Sequence, residues 1–201
     1  MKILQKMYKS FELNCVEKGE NYLLKLTMPE NKKGIIYRVT AVLFAHGWDI
    51  LEANFEIIGG GMVKDVFIIR NLNQNPMRDE NLMRIKDDLY SLFSEEISVI
   101  DYLDQFPDLP LLKPSSSPPS IQIFNPISSD STVLDIKTQD RPGLLFEISQ
   151  ILYLLDIDIL SVTARTEDGI IRDSFILRED SAKRLSAEKM DKIKIGLSGI
   201  L

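Results

Sequence analysis

The chain has 201 residues, 44% of them hydrophobic, with a net charge of −6 and a pI near 4.9. That length fits one or two domains. The acidic balance argues against a nucleic-acid binder, which needs a basic stripe to meet phosphates, and against adsorption to anionic membranes. A single cysteine, Cys15, leaves no internal disulfide and fits a reducing compartment. No apolar run approaches the ~20 residues of a membrane helix. Residues 1–10 carry three lysines and no hydrophobic signal core. The expected location is the cytoplasm.

In chain order, residues 11–16 and 22–28 read as strands. Ile36, Val39 and Leu43 have helical spacing, and that helix stops at Gly47, with His46 in its last turn. Leu51, Ala53, Phe55 and Ile57 alternate along a half-buried strand. Gly59-Gly60-Gly61 is a hairpin loop, because it lacks the strand-to-helix context of a phosphate-binding loop. Residues 63–70 return as a strand, 79–93 form a second helix, and 97–102 read as a further strand. Five of the nine prolines then fall between Pro107 and Pro119, so residues 107–120 are expected to be an extended linker.

Beyond it, residues 121–124 and 132–138 form a hairpin across the turn-rich residues 125–130. Asp140-Arg141-Pro142-Gly143 leads into a helix marked by Leu145, Ile148, Leu152 and Leu155, with Pro142 suited to its first turn. Residues 157–166 are a strand, Asp168-Gly169 a tight turn, and 170–177 the returning strand. Residues 186–201 form a last helix, with Met190, Ile193 and Leu197 inward.

The two halves are copies of one unit. Residues 63–70 align with 171–178 with four identities and three conservative changes in eight positions, at an offset of 108. Upstream of the hairpin loop the offset is 109, as for Gly34-Ile35-Ile36-Tyr37 against Gly143-Leu144-Leu145-Phe146. An insertion confined to a loop is what two copies of one folded unit should show. The expected division is a first domain over residues 1–106, the linker over 107–120 and a second domain over 121–201. The fold class is α+β: two ferredoxin-like sandwiches, each an antiparallel sheet with helices on one face. Each copy supplies strand–helix–strand–strand–helix and needs one more edge strand. In the second copy the preceding strand, residues 121–124, is placed to fill that edge. In the first copy either 11–16 or 97–102 could do so.

Few residues suggest catalysis. His46 has no second histidine to share a metal or a triad, and Cys15 reads as a packing residue. Asp65 and Asp173 occupy equivalent strand positions, one per copy, and a structural role suits them better than paired acid–base work. The turn at 140–144 is more suggestive. A helix N-terminus exposes unpaired N–H groups and partial positive charge, which suits a carboxylate. Gly143 leaves room for a small molecule against the backbone. Asp140 or Asp158 could meet an ammonium group and Arg141 a carboxylate. A purely structural assignment also fits: Asp140 as helix cap, Pro142 as helix start, Gly143 for helix–sheet packing.

The run from Thr132 through Asp140-Arg141-Pro142-Gly143 to Ile148, then Asp156-Ile157-Asp158-Ile159, then Ile171-Arg172-Asp173-Ser174-Phe175, resembles an ACT domain. The subgroup it is most similar to is the tandem ACT pair at the C-terminus of the bacterial uridylyltransferase that modifies the PII nitrogen-signalling protein; plant ACT-repeat proteins are similar. The first copy departs from the pattern, with Asn31-Lys32-Lys33-Gly34 at the turn. The resemblance implies a regulatory module that binds an amino acid or similar metabolite at the interface between ACT domains, with the ligand between this turn and the start of the second strand. It sets Asp158 and Ile159 opposite Asp140, Arg141, Gly143 and Leu144; the first-copy equivalents are Asn31, Lys33, Gly34 and Ile35 with Asp49. No nucleotidyltransferase or phosphohydrolase region accompanies the repeats, so a non-enzymatic sensor is expected. It would use no cofactor or metal, pair its two copies with each other or form a homodimer, and have a regulated protein partner and a link to nitrogen metabolism. A ligand-free interaction or oligomerisation module is the alternative.

Overall fold

The computed structural model describes residues 11–109, 118–179 and 183–201. The first repeat forms β1 (Glu12–Lys18), β2 (Asn21–Met28), α1 (Ile35–Ala45), β3 (Trp48–Ile58), β4 (Met62–Asn71), α2 (Asp79–Phe93) and a short α3 (Val99–Leu103). The second forms β5 (Ser120–Phe124), β6 (Thr132–Gln139), α4 (Leu144–Leu154), β7 (Ile157–Glu167), β8 (Ile170–Glu179) and α5 (Ala187–Ser198). Most of the expected linker, residues 110–117, lies outside the described residues, as do residues 1–10.

The strands make one antiparallel sheet of eight, ordered β1-β2-β4-β3-β7-β8-β6-β5. Both edge strands are the leading strands of their repeats, β1 and β5, each paired to the next strand in the chain. The open choice in the first repeat therefore falls to residues 12–18. Residues 97–102, expected as a possible strand, instead enter α3. Ser98 caps it, its hydroxyl accepting from the Asp101 N–H at 3.1 Å. Val99 and Tyr102, three residues apart, are its buried pair, which is helical rather than strand spacing.

Side chains alternate across the sheet. In β4, Val63, Asp65, Phe67 and Ile69 are buried toward the helices, while Lys64 and Arg70 face outward and are exposed. Both long inner strands carry a bulge at equivalent places, at Leu51 and at Leu160. The β7–β8 turn is the expected Asp168-Gly169 pair, with φ of 51° and 73°.

The repeats meet along β3 and β7. Asn54 pairs with Thr163, its own equivalent, and Ala53 and Phe55 pair with Ala164 and Val162. With equivalents 109 apart, this register is its own mirror image about Asn54 and Thr163. The join is thus isologous, like a twofold dimer within one chain. The helices above obey the same axis. Thr40 and Ser149 are equivalents and share a buried hydrogen bond of 3.1 Å. The rings of Phe44, Phe146, Tyr37 and Tyr153 stack in that order, with centroids 5.7, 5.8 and 4.9 Å apart. The sequence predicted pairing of the two copies or of two chains; the copies pair with each other.

Candidate functional site

Two cavities lie where this axis relates the helix α1–α4 seam to the sheet. Their linings correct one expectation. The 140–144 turn does not face Asp158 and Ile159 of its own repeat. Asp140, Arg141, Gly143 and Leu144 share a cavity with Trp48, Asp49, Ile50 and Leu51 of the first repeat. Reciprocally, Lys32, Gly34 and Ile35 share the second cavity with Ile157, Asp158 and Ile159. The turn of each repeat closes over the strand start of the other, because the sheets join at β3–β7. Sequence reasoning paired turn and strand within one repeat, since nothing in a single repeat reveals which neighbour it will meet.

Local geometry explains the turns. Gly143 and Gly34 precede their helices with φ of 79° and 85°, a region that favours glycine. At Gly34 a Cβ would also lie 2.7 Å from the ring of Tyr153, which reaches over from the other repeat. Asp140 does not cap α4, and Pro142 lies just before the helix rather than in its first turn. Instead the Asp140 carboxylate accepts from the Thr166 hydroxyl at 2.9 Å, holding it at the cavity wall.

Arg141 also differs from expectation. Its guanidinium pairs with Glu147 and donates to the Ile200 carbonyl at 3.0 Å, tying the turn to the end of the chain. Its Nη1 is buried without a hydrogen-bond partner. Lys33 pairs with Asp156 of the other repeat, an inter-repeat clamp beside the second cavity rather than part of its lining. The Asn31 carboxamide oxygen is buried and unpartnered, and Asn31 lies outside the lining of both cavities. Asp49 and Asp158 each meet an arginine of the adjacent strand, Arg70 at 3.3 Å and Arg178 at 3.4 Å.

The cavity at Asp140 gathers three carboxylates, Asp49, Asp140 and Asp173. Burial raises the Asp49 carboxyl above its usual range; nearby Asp140 adds to this and Arg70 opposes it. Burial pushes Asp173 up to about 7, with the Arg165 N–H opposing and Asp140 contributing. The lining sets these three carboxyl groups beside Arg141, Arg165 and the N-terminus of α4. It is suited to a small zwitterion, ammonium toward the carboxylates and carboxylate toward the helix. Its free space, about 30 Å³, matches roughly two waters, against about 10 Å³ in the second cavity. Asp173, Ala164 and Thr166 were not foreseen as lining residues. The signal available was the contrast between Ala164 and its equivalent Phe55. Among the described residues, no group of three His, Cys, Asp or Glu is arranged to hold a metal, and no helix is long and apolar enough to cross a membrane.

Residues 132–189 match the ACT domain family. The chain is also similar to proteins named "Bifunctional uridylyltransferase/uridylyl-removing enzyme". The one from Rhodospirillum rubrum is 23% identical over 157 residues, covering 77% of this chain and 17% of that protein. Those from Ruegeria pomeroyi and Azospirillum brasilense are 24% and 25% identical over 147 and 150 residues, each covering 73% of this chain and 16% of the relative. This chain therefore spans about a sixth of the length of the curated relatives it matches. A match over 73–77% of the chain must extend into the first repeat, since residues 121–201 are only 81 of 201.

Proposed function

We propose that this tandem ACT-domain protein is a non-enzymatic regulatory sensor that binds an amino acid between its two repeats. The observation that carries the reading is the crossed arrangement of turns and strands. A molecule seated beside Asp140 and Gly143 touches both repeats at once, so its binding energy favours the joined arrangement over any other. The three carboxylates provide for an ammonium group, and the N-terminus of α4 provides for a carboxylate. In this reading Asp140, Gly143, Leu144 and Asp49 line the working site together with Asp173. Arg141 stiffens the turn.

The resemblance supports a role in nitrogen metabolism, with the sensor reporting to a regulated protein partner. The edge strands β1 and β5 would be available to a second copy of the chain, giving a homodimer. The small size of both cavities favours the second reading, a module kept for assembly alone. Thermal unfolding in the presence of each of the twenty amino acids separates the two. The sensor reading expects at least one to raise the melting temperature, and expects Asp140→Asn to abolish that rise. A flat response across all twenty leaves only the assembly module.

A further inference from the structure

The two cavities are related by the internal twofold, so their linings can be compared position by position. Every lining residue of the second cavity has its equivalent in the first: Gly34 corresponds to Gly143, Tyr153 to Phe44, Ile157 to Trp48, and Asp158 to Asp49. The first cavity runs further, to Leu51, Asp140, Arg165, Thr166, Ile171 and Asp173, and one shared position differs sharply in side-chain size where it does so. Phe55 of β3 lines the second cavity, and Ala164 of β7 lines the first. Beyond Ala164 the first cavity continues to Ile171 and Asp173 on β8. Beyond Phe55 the second does not reach the equivalent residues of β4, Val63 and Asp65.

Register explains the difference. Phe55 stands opposite Asp65 across the β3–β4 ladder, and Ala164 and Asp173 both fall between the Thr163–Ser174 and Thr166–Ile171 pairs of β7–β8. Both strand residues point toward the helices. A methyl group leaves the path to Asp173 open, whereas a benzyl group, 1% exposed, fills it. Asp65 is consequently shut in at 0% exposure, and neither carboxylate oxygen has a partner. A buried carboxylate without a partner is costly.

Resting on the amino-acid reading above, we infer that the chain takes one ligand rather than two, with Ala164 the residue that keeps the Asp140 site open to Asp173 and Phe55 the residue that seals its twin. Ligand length is then set at Ala164. A group that passes it meets the Asp173 carboxyl, a hydrogen-bonding contact that suits the amino group of a small amino acid. Glycine, alanine and serine, the smallest amino acids, are the first probes.

Isothermal titration of the full chain with the twenty amino acids, beginning with glycine, alanine and serine, tests this. The expected result is one equivalent per chain for any amino acid that binds. Ala164→Val should weaken that binding by roughly tenfold and Ala164→Leu should remove it. Phe55→Ala should add a second equivalent. Removing a core phenyl ring costs about 3–5 kcal/mol in typical cases, so the Ala164→Val arm carries the test should Phe55→Ala fail to fold. Two equivalents in the unmodified chain, or unchanged affinity in Ala164→Val, overturns the inference and leaves the amino-acid reading standing. No binding of any of the twenty to the unmodified chain overturns both.

Discussion

At the scale of single residues, Asp65 offers the sharpest consequence. Burial alone drives its carboxyl well above the usual range. Its folded-state affinity for a proton exceeds the unfolded one, so its contribution to stability is fully present below about pH 4 and is lost as pH rises toward the folded value. Asp65→Asn keeps the shape and removes the charge. It should raise the melting temperature at about pH 8 and lose that advantage near pH 4; thermal unfolding across this range reads both ends. An advantage that persists unchanged at low pH would mean that Asp65 is not the titrating group. The equivalence of Asp65 and Asp173 is plain in the aligned strands, and reading them as structural fits the first. What separates the second from it is the side chain across the ladder. That depends on register, which no alignment of the two repeats contains. Gly34 and Gly143 sit at aligned turns before aligned apolar runs, and both adopt the same left-handed conformation there.

Among the elements, the α1–α4 seam holds the helical layer together. The Thr40 and Ser149 hydroxyls lie 3.1 Å apart across the axis, each also 2.8 Å from a carbonyl of its own helix, Ile36 and Phe146; with one proton apiece, one hydroxyl donates across the axis and the other to its own helix. A double-mutant cycle with Thr40→Val and Ser149→Ala isolates the shared bond. A coupling of about 1 kcal/mol by denaturant unfolding is expected, and strictly additive single changes would show that the two hydroxyls act only within their own helices. Helices and strands were largely legible from period, and the second helix of the first repeat was placed at residues 79–93, its observed span. Residues 97–102 were not. Ile97, Val99 and Ile100 look like a strand by side-chain type, yet the Ser98 cap and the packing of Val99 with Tyr102 favour a helix. Tertiary contact confirms that preference: the Tyr102 hydroxyl donates to Asp88 at 2.8 Å, and His46 shares the same carboxylate at 2.7 Å. Tyr102→Phe should cost about 1 kcal/mol in the same unfolding assay.

The whole molecule behaves as a dimer written in one chain. Its continuous sheet follows from β3 and β7 each lacking a second neighbour within their own repeat, so that pairing them satisfies two edges at once. The duplication itself predicts that the copies associate, but not along which strands, so neither repeat alone reveals which turn shares a cavity with which strand start. Thr163→Pro, at the centre of the join, should break a ladder bond whichever neighbour it serves, since β7 is paired on both sides. A loss of about 3 kcal/mol or more in unfolding free energy is expected, and a neutral outcome would argue that the join is dispensable. The central claim is that binding is shared between repeats. The most direct test is isothermal titration of Asp49→Asn with an amino acid that binds the unmodified chain, using Asp135→Asn on β6, outside both cavities, as the control. Asp49 belongs to the first repeat and the 140–144 turn to the second. The account predicts that Asp49→Asn weakens binding by at least about tenfold while Asp135→Asn leaves it unchanged; undiminished affinity in Asp49→Asn would place the site within the second repeat alone and contradict it.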